Sequence, residues 1–360
     1  MPGDAVRVAA VALIALAAAL PGARIVSARA PAILLLHDGF GEAPVPTPAF
    51  LRERRQHLEN LPVDGLAIYV RAPDLSIDVT ASVVSSTRLE AGDVEAALAP
   101  LRGLVFRRLE HRFARLLAPA PPDFFSDWSV PVRNAAVLAR AIRQAGLRGV
   151  YFDNENYVAP WGDYPSGVAQ PRRTLRECQD QARRRGRELM RAMVREFPEI
   201  VFLTLHGPYI SDPRAPAPLF PPVQGANELL GPFFAGLVEG AGPRATCVDG
   251  GELYHLRADE EFEASYAWRK RGIASGATFL PRELRSTWSS RVSVGFGVYD
   301  RPFAGRRMDP ATLHATLARA LRRTDRYVWL YLEGRTFLTP EGAQSEWREA
   351  VERARRDAAR

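Results

Sequence analysis

The chain has 360 residues, 47% hydrophobic and 25% charged, the profile of an ordinary globular protein with room for one large domain or two small ones. Its net charge of +7 is carried almost entirely by arginine, for Lys270 is the only lysine. Those arginines are spread along helix-patterned segments, with no clustered basic face and no binding motif, which excludes nucleic acid as the expected partner.

At the N-terminus, Arg7 precedes an apolar run from Val8 to Leu20. Small residues follow, with cleavage sites after Ala28 or Ala30. This basic, apolar, small-residue order is that of a secretory signal over residues 1–30. The run is short for a membrane span, and no later stretch is apolar enough to cross a bilayer. An uncleaved anchor is the alternative. The expectation is a secreted or periplasmic protein with no stable membrane association after signal cleavage, and one mature domain over residues 31–360. Cys178 and Cys247 are either a disulfide formed outside the cytoplasm or two lone buried thiols.

From Pro31 onward apolar strands alternate with helix-patterned segments. The first strand is Ala32 to Leu36, ending in His37-Asp38-Gly39, and a helix follows around Phe50 to Asn60. The second strand runs Gly65 to Val70, with a helix over Val94 to Leu101. For the third, Leu104 to Phe106 and Phe113 to Leu117 both fit. Helix Val132 to Gln144 places Ala135, Leu138, Ala139 and Ile142 on one face. It leads through Gly146 to the fourth strand, Val150 to Phe152, and then to Trp161, Tyr164 and a long helix from Leu175 to Glu196. The fifth strand, Ile200 to Leu205, ends at His206 before a proline-rich loop from Gly207 to Gly225, long enough to be a lid or a binding loop. Helix Glu228 to Glu239, strand Ala245 to Val248 and helix Asp259 to Arg269 come next. The seventh strand, Val292 to Val298, ends in Tyr299-Asp300. Helix Ala311 to Arg322, strand Tyr327 to Leu332 and a last helix, Ser345 to Ala358, complete the chain.

Eight strands, each followed by helical sequence, predict a single-domain (β/α)8 barrel with right-handed crossovers. A doubly wound open sheet is the structural alternative, but no Gly-rich phosphate loop follows the first strand.

Barrel enzymes keep their chemistry at the carboxyl ends of the strands. Here those ends carry His37, Asp38, Asp153, Glu155, His206, Asp249, Glu252, Tyr299, Asp300 and Glu333. The stretch Gly149 to Tyr157 is the richest. Because strand side chains alternate, Asp153 and Glu155 point to one face and Asn154 to the other. Asp38 and Asp300 are the first candidates for structural roles, since a ring of unpaired carboxylates would repel. Aromatics crowd the same ends: Tyr157, Trp161, Tyr164, Tyr209, Tyr254, Trp329 and Tyr331. Aromatic faces with carboxylates suit the C–H faces and hydroxyl rims of sugars, although Trp329 and Tyr331 also fit a barrel core.

This pattern resembles a glycoside hydrolase of the (β/α)8 type. Gly149, Asp153 and Glu155 are similar to the Gly, last Asp and Glu of the family-18 chitinase motif Asp-Gly-x-Asp-x-Asp-x-Glu, with Arg148 and Tyr151 at its first two Asp positions. Glu155-Asn156 resembles the Asn-x-Glu-Asn of endo-β-N-acetylglucosaminidases, and Tyr299-Asp300 a Tyr-Asp pair on a later chitinase strand. The resemblance implies a carbohydrate substrate, no cofactor, and Glu155 as the proton donor, kept protonated by a neighbouring negative Asp153. Glu252 and Glu333 are the candidates for a second catalytic carboxylate. In the chitinase-like route, Asp153 instead positions an acetamido group of the substrate. Asn156, Tyr157, Tyr254 and the remaining strand-end residues, His37, Asp38, His206, Tyr209, Asp249, Tyr299, Trp329 and Tyr331, would bind the sugar. Two other readings compete: a metal-dependent hydrolase using His37, Asp38, His206 and Asp249, and a barrel that binds a glycan without cleaving it.

Overall fold

The computed structural model describes residues 31–39, 44–72, 78–155, 161–164, 173–223, 225–302, 306–333, 336–340 and 345–360. Nine parallel strands are hydrogen-bonded in the order β7-β6-β5-β4-β3-β2-β1-β9-β8. They are β1 Ile33–His37, β2 Gly65–Ile68, β3 His111–Leu117, β4 Gly149–Asp153, β5 Val201–Thr204, β6 Thr246–Asp249, β7 Val292–Val294, β8 Phe296–Tyr299 and β9 Tyr327–Tyr331. β7 and β8 are two pieces of one stave broken at Gly295. β7 pairs with β6 and β8 pairs with β9, so the ring closes through the chain itself. The amides of Gly295 and Gly297 still donate to the carbonyls of Asp249 and Gly251 across the break. The architecture is therefore an eight-stave α/β barrel with helices outside.

Both faces of these strands are covered, which is why they read as continuous apolar runs rather than alternating ones. Leu34, Leu36, Leu66, Ile68, Val150, Phe152 and Phe202 face the helices, while Ile33, Leu35, Ala67, Phe113, Tyr151, Leu203, Val248 and Trp329 fill the barrel. The close approach of β4 to β5 requires glycine at 149, where a Cβ would run into the Val201 carbonyl.

The third stave is His111–Leu117, paired on both sides with β2 and β4. Leu104 to Phe106 lies in the preceding connection, with Val105 66% exposed. A stave buried on both faces has no place for such a residue. The helix expected to reach Arg269 ends at Ala267 and continues as a turn of π-helix, Trp268–Gly272, which carries Arg269 into the interior. The helix Leu175–Glu196 begins with a capping box between Thr174 and Glu177. Cys178 and Cys247 are separate buried thiols, not a disulfide. Among the described residues, no helix is long and apolar enough to cross a membrane.

Candidate active site

A cavity of about 590 Å³ opens at the carboxyl ends of the staves. β4 sends Tyr151 and then Asp153 inward, and Glu155 continues the same parity into the cavity lining. Asn154 points the other way. Its side chain accepts from the His206 amide at 2.9 Å and donates to the His206 carbonyl at 2.9 Å, tying the end of β4 to the end of β5. The alternation that puts two acids on one face thus also fixes the backbone of the next stave.

The acidic side of the cavity comes from β4, β5 and β6. A ring nitrogen of His206 and one carboxyl oxygen each from Glu155 and Glu252 lie within 4.8 Å of one another. Glu155 and Glu252 share a hydrogen bond, which two carboxyl groups make only when one holds a proton. Burial, and then the negative charge of Asp153, push Glu252 up to about 8; the hydroxyl of Tyr254, Glu155 and the charge of Arg115 oppose the rise. Burial and the Asp153 charge thus favour a proton on the Glu155–Glu252 pair at neutral pH. Burial holds His206 below the usual histidine range, so its ring is neutral.

Asp153 does not face Glu155 as a bare charge. The buried Arg115 guanidinium donates to it at 2.6 Å and also to the Tyr69 hydroxyl. Arg115, Tyr69 and Arg71 all line the cavity, and none was expected from the sequence reading. A signal for Arg115 was present. It is the single charge inside the apolar run Phe113 to Leu117, at the inward parity of β3.

The opposite side is aromatic. Tyr299 and Tyr331 stack at 4.6 Å with an interplanar angle of 20°. His37 stacks on Tyr331 at 4.9 Å, and Tyr254 meets Tyr299 at 4.9 Å. These four side chains and Glu333 line the cavity. The Tyr299 hydroxyl donates to the Glu333 carboxylate. His37 Nδ1 lies 2.8 Å from the Tyr151 hydroxyl, and burial, aided by the charge of Arg115, keeps its ring neutral.

Four expected sugar-binding residues lie elsewhere. Asp249 sits beneath the site, ion-paired with Arg269 at 3.2 Å and accepting from the Gly251 amide. Gly207 packs directly on its carboxylate. Asp38 is consumed by the amides of Gly39 and Phe337 and the hydroxyl of Thr336, which anchor the segment after β9. Trp329 is fully buried in the barrel interior and donates to the Gly250 carbonyl. Tyr209 is buried behind His206, its hydroxyl 3.3 Å from Nδ1. Asp300, like Asp38, works on the backbone, accepting from the Glu333 amide at 2.9 Å.

Trp161 packs outside the barrel with Phe124, Phe152 and Phe233, and the Tyr164 hydroxyl donates to the Arg173 carbonyl. Asn156 and Tyr157 lie outside the described residues. The proline-rich loop is packed down through Tyr209 and Phe220, whose rings sit 5.0 Å apart, and none of its described residues lines the cavity. The metal set His37, Asp38, His206 and Asp249 is not assembled, because Asp38 and Asp249 are committed to the partners just named.

No protein-family model matches the chain, and no curated protein matches it. Among solved structures it is similar to active domain 2 of a thermostable chitinase from Pyrococcus furiosus, at 11% identity and a TM-score of 0.44 over 90% of this chain and 93% of that one. It is similar to 3-keto-D-glucoside 4-epimerase from E. coli, at 12% identity and a TM-score of 0.43 over 90% and 99%. A β-mannanase from the blue mussel Mytilus edulis gives 10% identity and 0.43 over 86% and 84%. At these values the likenesses say nothing about chemistry.

Proposed function

We propose that this barrel is a glycoside hydrolase in which Glu252 and Glu155 are the two catalytic carboxyl groups. The observation that carries the reading is the hydrogen-bonded carboxyl pair, one partner protonated at neutral pH, facing stacked tyrosines across a cavity. A general acid must hold its proton near the working pH, and burial beside a second negative charge is how a carboxyl group does so.

In this reading the proton leaves Glu252 for the glycosidic oxygen as the bond from that oxygen to the anomeric carbon breaks. A carboxylate oxygen of Glu155 forms the new bond to that carbon. Water, deprotonated by Glu252, then attacks the same carbon and releases Glu155. The roles differ from the sequence expectation, which gave the proton to Glu155. The two carboxyls touch, far nearer than the about 6.5–9.5 Å of the inverting course, so the retaining course at about 5–5.5 Å is the one proposed, with the substrate parting the pair. The stacked rings of His37, Tyr331 and Tyr299 with Tyr254 form the wall against which the sugar packs. Glu333, held by Tyr299, accepts a substrate hydroxyl.

Glu252→Gln keeps the shape but cannot transfer the proton, so hydrolysis of glycosides with poor leaving groups should fall by about 10²–10⁴. An aryl glycoside with a good leaving group should lose far less. Equal losses on both substrates, or none, would show that Glu252 is not the acid. Residues 1–30 we read as an export signal. N-terminal sequencing of exported protein checks this, a start near Met1 being the contrary result.

A further inference from the structure

The pair that shares a proton also has a third member, and the three together point to a different occupant. We propose that Glu155, His206 and Glu252 form a binding site for a divalent transition-metal ion of the zinc type. His206 Nε2 and Glu252 Oε2 are 3.4 Å apart. Two ligand atoms bound to one tetrahedral ion at 2.0–2.2 Å lie about 3.3–3.5 Å from each other, so this is the edge such an ion requires. The Glu155 oxygen completes the set within 4.8 Å.

Two further observations separate this cluster from a group of solvated acids. The Glu252 side chain is only 9% exposed, and its Oε2, the atom aimed at His206, makes no hydrogen bond among the described residues. A buried carboxylate oxygen left in that state calls for a cation or a proton. The imidazole is set up for the same task. Its backbone is clamped on both sides by Asn154, and Nδ1 lies 3.3 Å from the Tyr209 hydroxyl, leaving Nε2 to face the carboxylates. A second hydrogen bond of this kind on the far ring nitrogen orients metal-binding histidines and fixes their tautomer.

A divalent ion would take the place of the proton that the two carboxyl groups share. The Asp153 charge beside them is already matched by Arg115. Nitrogen-and-oxygen donor sets of this kind suit zinc. Both carboxyl groups line the cavity, so the open coordination position would face it.

The site does not rest on the hydrolase reading and competes with it for the same carboxyl oxygens; occupancy is measured without substrate. Full-length protein, dialysed against a chelator, is titrated with Zn²⁺ by calorimetry and its bound metal counted by mass spectrometry. One ion per chain is expected, with Co²⁺ in its place giving visible d–d absorption. Glu252→Gln should weaken Zn²⁺ by roughly 100-fold or more, and Tyr209→Phe, which leaves all three ligands in place, by about tenfold. Circular dichroism confirms that each variant is folded. Wild-type protein that takes up no stoichiometric ion, or an affinity unchanged in both variants, overturns the site. Glycoside cleavage by metal-free protein would leave the hydrolase reading standing without it.

Discussion

Asp249 and Glu252 leave the same stave three residues apart, and both are buried. Burial raises the proton affinity of each. What separates them is the next charge. For Asp249 it is Arg269, which opposes the rise, and for Glu252 it is Asp153, which adds to it. Asp249 thereby becomes a strut. Arg269 also donates to the Gly295 carbonyl at 2.7 Å, so one guanidinium binds the end of β6 to the break in the seventh stave. Glu252 is left sharing a proton with a second carboxyl group. An acid at a barrel mouth is thus sorted into structure or chemistry by its partner and not by its depth.

The largest effect should come from breaking the strut. Arg269→Met leaves Asp249 buried without its counter-charge and the Gly295 carbonyl without a donor, and should destabilise the fold by about 3–5 kcal/mol. Denaturant titration reads this. A loss within the scatter of surface substitutions would mean that the pair does not hold the stave.

Glu252 should behave in the opposite sense. Its folded value, about 8, lies above its unfolded one, so the protonated form favours folding. The contribution is complete below the unfolded value of about 4.3 and is lost as pH rises through about 8. Thermal melts should therefore show wild type losing ground to Glu252→Gln, which cannot ionise, across that window. In the same window kcat/KM of the wild type should hold and then fall above about pH 8, with the limb absent from the residual activity of the variant. A limb unmoved by the substitution would assign the proton to another group.

Much of the barrel is legible in the sequence alone. Continuous apolar runs such as Ile33–Leu36 and Val150–Phe152 announce strands covered on both faces, and the helix pattern after each leaves few alternatives. The parity of Asp153, Asn154 and Glu155 was equally plain, because strand alternation is local. The third stave was ambiguous between two short apolar runs, and only pairing with β2 and β4 selects His111–Leu117. The break at Gly295 was invisible, since Val292 to Val298 reads as one strand and the split comes from pairing with different neighbours on its two halves.

The sequence by itself determined the elements, their order and the residues delivered to the strand ends, because backbone propensity and side-chain alternation act over a few residues. Tertiary structure decided which of those residues meet. It set Arg115 against Asp153, Arg269 against Asp249, and Glu252 against Glu155, pairs separated by 38, 20 and 97 positions. It also withdrew Asp38, Tyr209 and Trp329 from the cavity. Charge, solvation and proton affinity depend on through-space distance, and that distance is fixed only when the ring of staves has closed.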